Sequence, residues 1–370
     1  MGCITMASLK KNKELLNLIT RSNRLGSNPK NTNYAGGNAS AKGLQLDPAT
    51  GEQALVMYVK GSGGDLGTLK RGGLAALYVE RLRGLQAVYR GLEFEDEMVE
   101  RFDHCLVGRG GAAPSIDTAM HGLVDADHVD HLHPDSIIAF ATSVDGPALT
   151  KDCFGDDIVS VDWLRPCFQL GLDIAAIKAE NPNAVGCVLG GHGLTTWGVT
   201  SDECEQRSLD AIERAEQYLI AKGKAAPFGA QVATRKPTLR GIASTDMIQV
   251  GHFFDTDVVL EFIGSEALNR LAALGTSCPD HFLRTKVSPL VVDVPSDASI
   301  EDTISAAKAA HVTYREDYAA YYNRHADAES PAMRGADPAI ILVPGVGMFS
   351  FGKDKQTARV AGEFYVNAIN

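Results

Sequence analysis

Apolar and polar positions alternate with two different periods along this chain, and the period changes mark its elements. ELLNLITRSN (14–23) carries apolar residues at helical spacing and reads as an opening helix. NPKNTNYAGGNASAKG (28–43) is polar and glycine-rich, a set of turns leading into a strand. EQALVMYVKG (52–61) follows as a strand that ends at GSGGDLG. LKRGGLAALYVERLRGLQAVY (69–89) repeats its apolar positions at helical spacing, which predicts a helix despite two early glycines. FEDEMVERFDHCLV (94–107) predicts another helix, and TAMHGLV (118–124) a short one with Ser115 or Asp117 near its N-cap. HVDHLHPDSIIAFATS (128–143) begins as a strand; its SIIAFAT half fits a helix or a continuing strand equally. DIVSVDWLRPCFQLGLDIAAIKAENP (157–182) reads as strand, turn and helix, and AVGCVLGG (184–191) as a buried strand. A strong helix follows over SDECEQRSLDAIERAEQYLIAKGK (201–224). Ser201 is its candidate cap, with Cys204 where a complete capping box needs Glu or Gln.

The proline-containing stretch GKAAPFGAQVATRKPTL (223–239) marks a domain boundary, expected between residues 1–225 and 226–370. Beyond it, AIILVPGVGMFSFGKDKQTARVAGEFYVNAI (339–369) has the strand–turn–strand–helix outline of the segment that starts at AVGCVLGGHGLTTWGVT. The place of His192 falls on Gly347 or a neighbour, and SCPDHFLRTKVSPLVVDV (277–294) echoes the earlier histidine-bearing strand. Duplication with loss of the histidines and chance similarity both stay open.

Composition narrows the function classes. The chain has 370 residues, with 45% hydrophobic and 22% charged, an ordinary globular balance. Its formal net charge of -11 argues against a nucleic-acid surface. Seven cysteines without a CxxC pair fit free thiols in a reducing, cytoplasmic setting. The start, MGCITMASLKK, has charges where a signal peptide needs an apolar core, and Met6 breaks a myristoylation pattern. No apolar run is long enough to span a membrane.

The chemistry centres on histidines. His131 and His133 are two apart, so on a strand they share a face; His192, in LGGHGLTTWG, can join them from a neighbouring strand end. Three imidazoles with one position left open describe a catalytic zinc site, although cobalt or manganese suits the same ligands. Asp130 and Asp135 are expected to orient a ligand ring. His121 reads as a packing or substrate residue, and His128 as a surface residue with the wrong parity to join His131. The competing reading is unrelated core and surface histidines, because HxH alone is a weak signal. Asp117 is the acid/base candidate, with helix capping as its competing role. Asn38, Lys60, Ser62, Gly63, Gly64 and Ser115 form a candidate phosphate pocket of hydroxyls, an amide, backbone N–H groups and one cation. Ordinary turn chemistry calls for the same residue types.

GGNASAK, KGSGGD, PSIDTAMH, HVDHLHP and LGGHGLTTWG, in this order, resemble the class II aldolase/adducin family, most nearly the aldolase portion of bifunctional rhamnulose-1-phosphate aldolase/dehydrogenase proteins. The motifs cover roughly residues 10 to 225, and the likeness continues less diagnostically beyond them. The resemblance implies a three-layer α/β/α sandwich around a mainly antiparallel sheet, with a smaller C-terminal α/β unit, usually as a homotetramer. It implies Zn²⁺ on His131, His133 and His192, phosphate on Asn38, Ser62, Gly63 and Ser115, and the family's catalytic glutamate at Asp117. The aspartate is one methylene shorter, so its backbone must come closer to the substrate. The implied reaction is cleavage of a ketose 1-phosphate, with L-rhamnulose 1-phosphate giving dihydroxyacetone phosphate and L-lactaldehyde, without a lysine Schiff base. A pentulose-phosphate 4-epimerase and a non-enzymatic adducin-type interaction domain are the alternatives. A fused or separate dehydrogenase is the implied partner.

Overall fold

The computed structural model describes residues 13–108, 111–223, 244–295, 298–328 and 330–370. Cys3 and nearly all of the proline-containing boundary stretch lie outside these residues. The chain divides into two compact units after Lys222.

The strands of the first unit are β1 (Asn38–Leu46), β2 (Gln53–Lys60), β3 (Leu74–Tyr78), β4 (His128–Leu132), β5 (Ile158–Val161), β6 (Gly186–Leu189) and β7 (Gly193–Gly198). Its helices are α1 (Lys13–Gly26), α2 (Val79–Gly84), α3 (Glu95–Arg101), α4 (Thr118–Leu123), α5 (Asp135–Ala141), α6 (Gly146–Phe154), α7 (Phe168–Glu180) and α8 (Ser201–Lys222). The strands form one seven-stranded sheet in the order β3-β2-β1-β4-β7-β6-β5. Only β5 and β6 pair in parallel; every other neighbour is antiparallel.

Strand alternation distributes the core to two faces. Val56 and Tyr58 of β2 join Leu15, Leu18 and Leu25 of α1, Phe140 of α5 and Ala211 of α8 on one face. Met57 and Val59 point the other way, toward Leu82 of α2, Ala119 of α4 and Phe168 of α7. Helices therefore cover both sides of the sheet, giving a three-layer sandwich. The same alternation governs β4: Leu132 packs with the α1 face, whereas Val129 packs with Met120 of α4 and Ile174 of α7.

Two local expectations change, and one left open is resolved. The stretch 69–89 is not one helix: LAALY forms β3, paired with β2 from Val56↔Tyr78 to Lys60↔Leu74, and only Val79–Gly84 is α-helical. A partner strand supplies the hydrogen bonds here and overrides a helix-like spacing of apolar residues. The helix α8 is capped by Thr200 rather than Ser201. The Glu203 N–H donates to the Thr200 hydroxyl at 3.2 Å, and the Val199 N–H donates to the Glu203 carboxylate at 2.7 Å. SIIAFAT becomes helix α5.

The second unit contains β8 (Val250–Phe254), α9 (Asp257–Ile263), α10 (Leu268–Ala272), α11 (Pro279–Thr285), β9 (Leu290–Val291), α12 (Ile300–His325), β10 (Ile340–Val343), β11 (Gly347–Gly352) and α13 (Lys355–Ile369). Among the described residues, four strands run in the order β8-β11-β10-β9, with β9 and β10 parallel. The hairpin β10–β11 closes with Val343↔Gly347, as β6–β7 closes with Leu189↔Gly193. Each turn holds one left-handed glycine, Gly345 at φ 72° and Gly191 at φ 59°. Val346 thus occupies the turn position that His192 has in the first unit. SCPDHFLRTKVSPLVVDV carries its histidine on helix α11 rather than on a strand.

Candidate metal centre

His131 lies on β4, His133 just beyond its end, and His192 in the β6–β7 turn. Pairing of β4 with β7, His131↔Thr195 and Leu132↔Leu194, brings the turn beside the strand end. All three histidines are buried, and their ligand atoms lie within 4.8 Å of one another. The Nε2 atoms of His133 and His192 lie 2.9 Å and 3.3 Å from Nε2 of His131. Two nitrogens bonded at 2.0–2.1 Å to one tetrahedral cation would lie roughly 3.3–3.4 Å apart. The His131–His192 separation matches a shared divalent cation, and His133 lies closer to His131 than such a cation would set it.

The partners of His131 settle which nitrogen faces inward. Its Nδ1 is 3.1 Å from the Leu194 carbonyl and 3.2 Å from the Thr195 hydroxyl. A carbonyl only accepts, so Nδ1 carries the proton and Nε2 presents its lone pair to the cluster. Burial, reinforced by the neighbouring His192 and His133 rings, holds the His131 imidazolium well below its ordinary pKa. The ring is thus neutral, as a metal ligand must be. Leu194 and Thr195 went unnoticed in the sequence, although strand pairing of HVDHL with GLTTWG puts them opposite this ring.

Asp130 does not orient a ligand histidine, contrary to expectation. Its side chain alternates to the opposite face of β4, where the fully buried Arg21 of α1 donates from Nε to its Oδ1 at 3.0 Å. Arg21 also donates to the Ser201 hydroxyl at 3.0 Å and the Ser40 carbonyl at 2.9 Å. Its Nη1 lies 3.0 Å from Nδ1 of His128, which is 3% exposed. His128 is therefore a core residue, not a surface one; burial pushes its pKa down to about 4. Asp135 opens α5. His121 is buried on α4, with Nδ1 2.9 Å from the Ser40 hydroxyl, and burial pushes it to about 3.

Asp117 precedes α4 at the N-cap position, yet its side chain makes no capping bond. Its Oδ2 instead accepts a 2.8 Å hydrogen bond from Nδ2 of Asn38, the first residue of β1. Asn38 pairs in register with His131, so the carboxylate is linked to the strand pair that bears the histidines. The buried Lys60 ends β2, its ammonium 3.4 Å from the Ala35 carbonyl. The Ser62 N–H donates to the Ala113 carbonyl at 3.0 Å, joining the exposed Ser62–Gly63 turn to the loop before Ser115. The Ser115 hydroxyl is buried and has no hydrogen-bond partner among the described residues.

Two glycines make the arrangement possible. A Cβ at Gly193 would come within 2.5 Å of the Leu132 carbonyl and 2.9 Å of the His133 ring. Gly37, at φ 66°, would place a Cβ 2.9 Å from the His131 carbonyl. Both are close approaches of backbone to the histidine strand that a side chain would forbid.

Comparison with known proteins bears on both units. Residues 17–219 match the model of the class II aldolase and adducin N-terminal domain, and residues 230–370 that of the class II aldolase second domain. The chain is 34% identical over 367 residues to the "uncharacterized oxidoreductase YuxG" of Bacillus subtilis, covering 95% of this chain and 53% of that protein. It thus spans about half the length of this curated relative. The N-terminal class II aldolase domain of a conserved protein from Thermoplasma acidophilum superposes with a TM-score of 0.51 at 26% identity, over 57% of this chain and 95% of that one. The fold match and the three-histidine cluster together support metal-assisted enzymatic chemistry. Among the described residues, no helix is long and apolar enough to cross a membrane.

Proposed function

Because the chain belongs to the class II aldolase and adducin family, we propose that it is a zinc-dependent aldolase that cleaves a ketose 1-phosphate. L-Rhamnulose 1-phosphate is the foremost substrate, giving dihydroxyacetone phosphate and L-lactaldehyde. The observation that carries this reading is the buried cluster of three imidazole Nε2 atoms, combined with a nearby carboxylate that does not cap its helix. His131, His133 and His192 would hold a divalent cation, which would supply Lewis acidity to a substrate carbonyl. Asp117 exchanges the proton at the carbon next to that carbonyl. Ser115, Ser62, the Gly63 N–H and Lys60 receive the phosphate, to which the Ser115 hydroxyl offers an otherwise unused donor. Asn38 borders the same pocket.

The clustered imidazoles favour an enzyme over an adducin-type interaction domain, which has no need of converging ligands. The reading includes a homo-oligomer, in which a neighbouring subunit can provide the second acid/base group. It also includes a fused or separate dehydrogenase that consumes the aldehyde, in keeping with the oxidoreductase name and greater length of the Bacillus subtilis relative.

A substrate panel tests the proposal. Zinc-loaded protein is expected to release dihydroxyacetone phosphate and L-lactaldehyde from L-rhamnulose 1-phosphate in equal amounts. Epimerisation of a pentulose phosphate with no aldehyde release would replace the aldolase reading with the epimerase one.

A further inference from the structure

We infer that Asn38 is a positioning residue for Asp117 rather than principally a phosphate ligand. This rests on the proposed role of Asp117 as the proton-transfer group. The amide of Asn38 is 3% exposed and donates to Asp117 Oδ2 at 2.8 Å. The opposite amide orientation would set its oxygen against a carboxylate oxygen, two acceptors with no proton between them. The charge of the carboxylate therefore fixes which way the amide points, and one of its two N–H protons is committed to Asp117.

The anchor itself is rigid. Asn38 opens β1 opposite His131, and Gly37 before it approaches the His131 carbonyl too closely to admit a Cβ. The amide consequently moves with β4, the strand that carries His131. Asp117, in contrast, sits at the end of a six-residue helix and makes no capping bond that would hold its side chain. An aspartate reaches less far than a glutamate, so small rotations about its χ angles displace its oxygens from a reacting carbon. A hydrogen bond from the neighbouring strand removes that freedom and ties the carboxylate to the histidine cluster. The Oδ1 of Asn38 is buried with no hydrogen-bond partner among the described residues, and as an acceptor it is unsuited to a phosphate dianion.

The test compares steady-state cleavage, proton exchange into dihydroxyacetone phosphate in D₂O, inhibition by inorganic phosphate, and bound zinc. The proteins are wild type, Asn38→Ala, Asn38→Asp, Asp117→Glu, Asn38→Ala/Asp117→Glu and Asp117→Asn. Asn38→Ala is expected to lower kcat about 10- to 100-fold, the usual loss for a group that orients a functional one. Its KM, phosphate inhibition and zinc content should stay within about twofold of wild type. Asn38→Asp keeps the shape and is expected to lose more, because it sets one carboxylate against another. The longer glutamate should recover part of the loss, so that the double variant loses less than the two single variants combined. Unchanged kcat in Asn38→Ala with weakened phosphate inhibition and raised KM would overturn the inference alone, and would make Asn38 a phosphate ligand. Normal exchange in Asp117→Asn would overturn the role of Asp117 itself.

Discussion

Replacing His192 with alanine is expected to remove bound zinc and aldolase turnover together, with kcat/KM falling by at least about a thousand-fold. The magnitude follows from the several kcal/mol of charge stabilisation that a bound cation contributes, at about 1.4 kcal/mol per decade of rate. His192 is the member of the cluster contributed by a turn, with its Nε2 3.3 Å from that of His131. His131 and His133 alone leave a two-ligand site, which binds zinc far less well than three imidazoles. A thermal-shift series gives a readout independent of activity. Zinc at about 1,000 times its Kd is expected to stabilise the wild type by about 4 kcal/mol and to leave His192→Ala unchanged. Full zinc occupancy with normal turnover in the variant would remove His192 from the metal site.

Asp117→Asn is expected to keep zinc and lose about 10²- to 10⁴-fold in turnover, the range of general acid–base catalysis. The substitution preserves size, and the side chain makes no helix-capping bond whose loss could unfold α4. Exchange of the carbon-bound proton of dihydroxyacetone phosphate should fall by the same factor, since that half-reaction needs the carboxylate but no aldehyde. Exchange at the wild-type rate would assign the proton transfer elsewhere.

Much of this site was legible from strand parity. The two-residue spacing of His131 and His133, and the glycines around His192, lead directly to the cluster of Nε2 atoms. The same parity argument turns Asp130 away from the histidines, and it was the long-range partner that stayed hidden. Arg21 lies 109 residues before Asp130, and nothing local to either residue announces that pair or the burial of His128 against Arg21. The role of Asn38 was concealed for the same reason, because its bond to Asp117 crosses 79 residues. LAALY at β3 shows the limit of periodicity. Its apolar spacing suits a helix, and only the presence of β2 alongside makes it a strand. The boundaries of β5–α7 and β6 needed no such partner, because alternating apolar runs, turns and a long helix follow one another there.

One divalent cation on three histidines is expected to be required for ketose-phosphate cleavage. Stepwise addition of Zn²⁺ to metal-stripped protein, with cleavage of L-rhamnulose 1-phosphate measured at each step, tests it most directly. The expected result is activity that rises linearly and stops at one zinc per chain. Full activity in the stripped protein, persisting in the presence of a chelator, would rule out metal-dependent cleavage.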